Sequence, residues 1–182
     1  MGAIRLDDLP HYTYDDYLQW DGAWEIIYGV AYAMSPAPMI EHQTISNNIA
    51  WQLKESFDNC KACKTLLPVD WKIAEDTIVQ PDNLVICHEP TNKKYLTKAP
   101  KIIFEILSPS TASKDKNLKF KLYESEGVKY YIIVNPDDKV AKVYVLKDGK
   151  YIKVCDASDE VVTFEVSECQ EEKIPFDFSK IW

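Results

Sequence analysis

The sequence predicts an α/β domain with a central β-sheet, and three observations predict it. Two apolar runs, Lys101 to Leu107 and Tyr130 to Val134, are near-continuous in the manner of strands covered on both faces. A lysine-rich helical stretch lies between them, giving a strand, helix, strand order that is βαβ-like without obliging the two strands to be neighbours. Upstream, Ile45, Ile49 and Leu53 recur every four positions, which makes a helix with one apolar stripe from about Ile40 to Phe57.

The elements follow in order. Thr13 with Asp16 reads as a capping box in which Asp replaces the usual Glu, opening a short helix through Tyr17, Leu18 and Trp20 that Asp21-Gly22 ends. Trp24 to Met34 reads as two strands around Tyr28-Gly29, with Glu25 on the first arm. Ser35-Pro36-Ala37-Pro38 breaks the pattern before the long helix. Extended runs come next at Thr65 to Leu67, Val69 to Ala74 and Ile78 to Cys87, and Glu89-Pro90-Thr91-Asn92 is a turn cluster. Ser108-Pro109-Ser110-Thr111 stops the first central strand. A second helix from about Ser113 to Ser125 is anchored by Leu118 and Leu122, with Gly127 placed to cap it. After the second central strand, Asn135-Pro136-Asp137-Asp138 turns the chain, and Val140 to Leu146 pairs with Tyr151 to Val154 around Asp148-Gly149.

With 182 residues, 46% of them hydrophobic, a single domain over 1–182 is expected. Five cysteines at irregular spacing do not suggest a disulfide framework, and Met1-Gly2-Ala3-Ile4-Arg5 carries no apolar signal core, so a reducing, cytoplasmic setting is expected. No apolar run approaches the roughly 20 residues that cross a bilayer. The net charge of −8 argues against unspecific adhesion to nucleic acid. Its distribution is uneven. Between Lys93 and Lys121 eight lysines face only Glu105 and Asp115, so that window is +6 and the rest is −14. The lysine block surrounds the strand that carries Glu105. It is either a path by which a polyanion approaches or simply a solvated surface.

Two acids stand in strand-like surroundings. Asp82 follows Gln80-Pro81, where a proline marks an edge, a bulge or a strand end, and Pro81-Asp82-Asn83 also reads as a plain turn. Glu105 is the one acid among Ile102, Ile103, Phe104, Ile106 and Leu107. A buried acid is costly without a cation, a hydrogen-bond network or a raised pKa, so two of them suggest a divalent-metal site, while Glu105 could also form an internal ion pair with a lysine. Mg²⁺ or Mn²⁺ takes hard oxygen ligands, and the Ile106 carbonyl is a natural third after the two carboxylates. Asp115, Lys119 and Tyr123 share one helix face, although an acid four residues before a lysine is also the commonest surface pair. Cys60-x-x-Cys63 with Cys87-His88 could close a zinc site, but the second pair is adjacent rather than spaced by two, which disfavours it. The aromatic residues read as core rather than as a base-stacking platform.

A resemblance draws these pieces together. Glu105-Ile106-Leu107-Ser108-Pro109-Ser110-Thr111, then Asp115, Lys119 and Tyr123, then Gly127-Val128-Lys129-Tyr130-Tyr131 resemble the Uma2 family. Tyr12-Thr13-Tyr14-Asp15-Asp16-Tyr17, Glu25 with Gly29, Met34-Ser35-Pro36, His42 and Gln80-Pro81-Asp82 match it upstream in order, so the likeness spans roughly Tyr12 to Pro136. The resemblance implies a PD-(D/E)XK, restriction-endonuclease-like fold: a mixed central β-sheet flanked by helices. It implies Asp82 and Glu105 as the catalytic, metal-binding acids, with Glu25 completing the metal shell directly or through water. The sequence departs from the pattern at Leu107, where a lysine is wanted, and Lys119 on the following helix is the matching candidate.

The activity implied is metal-assisted hydrolysis of DNA phosphodiester bonds with Mg²⁺ or Mn²⁺. Lys119 would orient water or stabilise the pentavalent charge, and His42, Gln80, Asp115 and Tyr123 would line the pocket. A lone helix histidine such as His42 is, however, often a capping or packing residue. A homodimer would let a compact nuclease grip both strands. The alternative is a non-catalytic module of the same fold that binds nucleic acid or protein through its lysine-rich face. A two-carboxylate glycosidase is a third reading, with no sugar-stacking pattern to support it.

Overall fold

The computed structural model describes residues 10–34, 39–108 and 114–182. In chain order, a one-turn helix α1 (Tyr14–Tyr17) precedes β1 (Trp24–Ile27) and β2 (Val30–Ala33), and the long helix α2 (Ile40–Ser56) leads to β3 (Lys64–Leu66), β4 (Trp71–Ala74), β5 (Thr77–Val79), β6 (Asn83–Ile86) and β7 (Ile102–Ile106). A π-helical segment, Lys114–Lys119, runs into α3 (Phe120–Ser125). Five strands complete the chain: β8 (Tyr130–Asn135), β9 (Val140–Lys147), β10 (Lys150–Ala157), β11 (Val161–Glu165) and β12 (Lys173–Asp177).

Six strands form the central mixed sheet in the order β10-β9-β8-β7-β6-β3. β7 and β8 are its one parallel pair among the described strands and lie side by side, Glu105 opposite Ile133, so the expected βαβ unit does join neighbours. A second sheet, β2-β1-β5-β4, packs beside it, and β11 and β12 form a separate ribbon. Alternation along β7 sorts the core into two layers. Phe104 and Ile106 meet α2, the ribbon and Phe178, whereas Ile103 and Leu107 meet α3, Trp71, Val79 and Ile27. The central sheet is therefore covered on one face by a helix and a ribbon, and on the other by α3 and the smaller sheet.

Local signals explain most element ends. The Asp16 carboxylate accepts from the Thr13 N–H at 2.8 Å, the back-bond of a capping box, and also from the Thr13 hydroxyl at 3.0 Å. Tyr28 and Gly29 both have positive φ, 52° and 77°, the twist that a two-residue hairpin needs. A Cβ at Gly29 would run into the His11 ring, so only glycine fits. Gly127, at φ 82°, closes α3, and the Val128 N–H donates to the Tyr123 carbonyl at 3.1 Å.

Three expectations need correction or a boundary. The run Ile78 to Cys87 is not one strand: it breaks at Gln80-Pro81-Asp82, β5 joining the small sheet and β6 the central one. Proline's missing N–H makes that break natural, since it cannot continue a ladder. The irregular cysteines were expected to be unpaired, yet disulfides join Cys60 to Cys169 and Cys63 to Cys87. Spacing hid this because one partner comes from 109 residues away. The breaks at Ser35-Pro36-Ala37-Pro38 and at 109–111, the helix start at Ser113 and the Ser35-Pro36 part of the upstream motif lie outside the described residues. No helix among the described residues is long and apolar enough to cross a membrane.

Candidate functional site

Asp82 and Glu105 come together because β6 and β7 are antiparallel neighbours. Asn83 stands opposite Phe104, and one further step of that register sets Asp82 opposite Glu105. Asn83 fixes the start of β6 to α2, its amide exchanging hydrogen bonds with the Ser46 hydroxyl and carbonyl, both at 3.1 Å. Asp82 Oδ2 accepts the Ile106 N–H at 2.7 Å and lies 3.3 Å from His42 Nε2, so the carboxylate is held between β7 and the first turn of α2. Ile106, expected to offer its carbonyl, is seen here donating its N–H.

Glu25 enters from β1 and is fully buried, with every oxygen engaged. Its Oε1 accepts from the Gln80 N–H at 2.8 Å and from Lys119 Nζ at 2.7 Å, and its Oε2 pairs with Lys114. Glu105 Oε1 accepts from Lys119 Nζ at 2.8 Å and from the Tyr123 hydroxyl at 2.7 Å. Lys119, only 2% exposed, thus bridges two strand acids, and Asp115 Oδ1 stands 3.7 Å away. Gln80 turns its side chain elsewhere, donating to Asp70 at 2.6 Å beside the Tyr17 hydroxyl, and reaches the site only through its main chain.

The π-helical turn explains how two lysines reach one glutamate. On an α-helix, residues five apart lie about 140° away from each other around the axis. The wider turn over Lys114–Lys119 brings both ends to the same face, and such turns are common at functional sites.

The electrostatics follow from the count. Four carboxylates, Glu25, Asp82, Glu105 and Asp115, face Lys114, Lys119 and the imidazole of His42 among the described residues. Burial pushes Glu25 up, but Lys119 and Lys114 outweigh it and hold this acid below its ordinary range. Glu105 goes the other way: burial raises it, Lys119 opposes, and the charges of Asp115, Asp82 and Glu25 leave it well above the usual carboxylate value. Burial lowers Lys119, yet Glu105, Glu25 and Asp115 together lift it well above an ordinary lysine. Burial also lowers His42, and the hydrogen bond and charge of Asp82, with a main-chain bond to Ile106, raise it overall.

This donor set fits a hard divalent cation. Its ligands are oxygens, and no described residue donates to Glu105 Oε2 or to Asp82 Oδ1. A cleft of about 290 Å³ is lined in part by Met39, His42, Leu107, Lys116 and Pro136; His42 is the member of the cluster among its described lining residues, and the cluster's carboxylates and Lys119 are not.

The Uma2 pattern, described as "Putative restriction endonuclease", matches residues 14–169. The chain belongs to the Uma2 family. The match contains every residue of the carboxylate and lysine cluster. Among solved structures, the chain shares its fold with a crystal structure from Anabaena variabilis ATCC 29413, described as a putative nuclease belonging to DUF820. The TM-score is 0.75 at 19% identity, covering 93% of this chain and 96% of that one. No curated protein matches this chain.

Asp82, Glu105, Glu25, Lys119, Asp115, Tyr123 and His42, all expected from sequence, are gathered in this one cluster. Sequence reasoning missed Lys114 and Asn83. Nothing in a linear pattern marks a π-helical turn, whereas Asn83, polar at the mouth of an apolar strand, did offer a signal. The lysine block is not one face: Lys114 and Lys119 point inward and Lys101 pairs with Glu168 at 2.5 Å, while Lys93, Lys94, Lys98, Lys116 and Lys121 stay exposed.

Proposed function

We propose that this Uma2 protein is a divalent-metal-dependent endonuclease that hydrolyses DNA phosphodiester bonds. The observation that supports it most is the facing pair Asp82 and Glu105, each with one carboxylate oxygen to which no described residue donates, beside a buried lysine 2.8 Å from Glu105. A Mg²⁺ or Mn²⁺ ion held by Asp82 and Glu105 would supply Lewis-acid polarisation of the scissile phosphate and a more acidic water.

The chain's own residues do the rest. Lys119 Nζ stabilises the negative charge that grows on the phosphoryl group and orients the attacking water, filling the role that Leu107 cannot. Glu25 is a positioning residue, because both its oxygens are taken up in holding Lys119 and Lys114. Tyr123 fixes the rotamer of Glu105 by donating to Oε1, which leaves Oε2 without a donor among the described residues. His42 and the Ile106 N–H do the same for Asp82. Two copies would cut the two strands of a duplex, so a homodimer belongs to the proposal.

Burial of Lys119 among three carboxylates favours a second reading, a non-catalytic module whose exposed lysines bind nucleic acid or protein. One experiment separates them. Plasmid DNA is incubated with Mn²⁺ and the wild type, Asp82→Asn, Glu105→Gln or Lys119→Met. The nuclease reading expects nicking by the wild type alone. Binding without cleavage by the wild type supports the module, and cleavage that persists in all three variants removes the assignment.

A further inference from the structure

The second cluster of chemistry-bearing side chains lies on the other layer of the sheet, away from the carboxylates. Cys60 and Cys63 follow the end of α2, Cys87 follows β6, and Cys169 sits in the turn between β11 and β12. Cys87 is five residues along the strand from Asp82, roughly 16 Å of extended chain. The Sγ atoms of Cys60, Cys63 and Cys169 all lie within 4.8 Å of one another, and Cys87 is bonded to Cys63.

We propose that these four cysteines form one tetrahedral zinc–thiolate centre in the reduced protein, and that the two disulfides are its oxidised form. The unbonded sulfurs of Cys63 and Cys169 are 3.7 Å apart. Zinc–sulfur bonds of about 2.3 Å at tetrahedral angles set sulfurs roughly 3.8 Å apart, so this contact already has the length of a tetrahedral edge. The backbone supplies the remaining geometry. Cys60-x-x-Cys63 is a turn in which the Cys63 N–H donates to the Cys60 carbonyl at 3.3 Å, and Cys60 in turn donates to Phe57 at 3.0 Å. Cys63 and Cys87 stand opposite each other by the β3–β6 register, one step past Lys64 and Ile86. Cys169 is set by its own turn, its N–H donating to the Val166 carbonyl at 3.1 Å.

Soft thiolates select zinc over Mg²⁺ or Mn²⁺, so this centre does not compete with the hard oxygen site. The conversion balances. Each disulfide takes two electrons and two protons from a dithiol reductant, which itself becomes a disulfide, leaving four thiols. One Zn²⁺ then displaces four protons to leave a centre of charge −2, with Lys61 inside the Cys-x-x-Cys turn and Lys64, which pairs with Glu89 at 2.7 Å, directly after it. The centre would pin the β11–β12 ribbon to α2 and β6, closing the apolar layer. Cys155, on β10, is the free cysteine and takes no part.

The test uses the full chain, reduced with a dithiol without oxygen, given one equivalent of Zn²⁺ and desalted. Elemental analysis and native mass spectrometry are expected to find one zinc per chain, and thiol titration after denaturation in chelator to find all five cysteines free. Cys155→Ser is expected to retain the metal and Cys169→Ser to lose it. Because Cys169→Ser could fail to fold, wild type loaded with Co²⁺ is also examined for the visible and charge-transfer bands of a tetrahedral thiolate site. A fully reduced, folded wild type that retains no zinc and shows no such cobalt spectrum overturns the proposal, as does zinc retained undiminished by a folded Cys169→Ser.

Discussion

Phe104 and Glu105 are neighbours on β7, equally out of reach of water, and they do opposite work. Phe104 points into a layer of rings, 5.1 Å from Phe176, 6.2 Å from Phe164 and 6.4 Å from Phe178. Glu105 points into a layer where four carboxylates face two lysines and one histidine among the described residues. The first arrangement stabilises the fold by removing apolar surface from water and asks nothing of its partners beyond shape. The second costs desolvation and is held only by a closed network in which each group depends on the next. The charged layer is the arrangement that the proposed metal site would require.

Substitutions that cross the two layers can break that contrast. Phe104→Ala is expected to cost about 3–5 kcal/mol of unfolding free energy by denaturant titration, through lost burial and the cavity left behind. Lys119→Ala is expected to cost a similar amount, about 3–5 kcal/mol, because it removes the buried cation that Glu25 and Glu105 share and leaves Glu25 with Lys114 alone. The two should separate on a second change: adding Glu25→Gln should recover part of the Lys119→Ala loss and none of the Phe104→Ala loss. If Glu25→Gln rescues neither, the charged network is not the unit described here.

Smaller effects sharpen the comparison. Glu105→Gln preserves shape and hydrogen bonding to Tyr123, so it should leave the metal-free fold no less stable at neutral pH while lowering DNA cleavage on the order of 10²–10³-fold. The pH dependence is specific to the charged layer. Glu105 is raised in the fold, so its contribution is complete below the unfolded value of 4.5 and is lost as pH climbs through the raised folded value. His42 is raised too, and its contribution is complete below 6.5 and lost as pH rises through its own folded value. The thermal unfolding midpoint of the metal-free protein should therefore fall as pH rises from mildly acidic values through neutral, and His42→Gln should flatten the upper part of that slope. The smallest effect lies far from both layers: Asp16→Ala, which removes the cap on α1, should cost about 0.5–1 kcal/mol.

The layers also differ in how well the sequence discloses them. The strands around Phe104 and the stripe of α2 announce themselves because apolar period is local. So did Glu105, as an acid with no polar neighbour, and Asp82, at a proline break. Lys119 was identified only through its likeness to related sequences, since its spacing from Asp115 is also that of a surface pair. Lys114 was not legible at all, because a π-helical turn alters which residues share a face. The β11–β12 ribbon was missed for a different reason. Its strands mix buried Phe164, Ile174 and Phe176 with Glu165 and Lys173 in runs too short to stand out, and its pairing with α2 is set by contacts more than 100 residues apart. The cysteines show the same limit, since Cys169 meets Cys60 only after the chain has folded.

The central claim is that Asp82 and Glu105 jointly hold a hard cation. Calorimetric titration of Mn²⁺ into the metal-free protein, repeated in buffers of different ionisation enthalpy, tests it most directly. The account predicts one site per chain, proton release on binding as Glu105 gives up its proton, and loss of the site in folded Asp82→Asn and Glu105→Gln. A wild type that binds no Mn²⁺, or binding left unchanged by both substitutions, would contradict it.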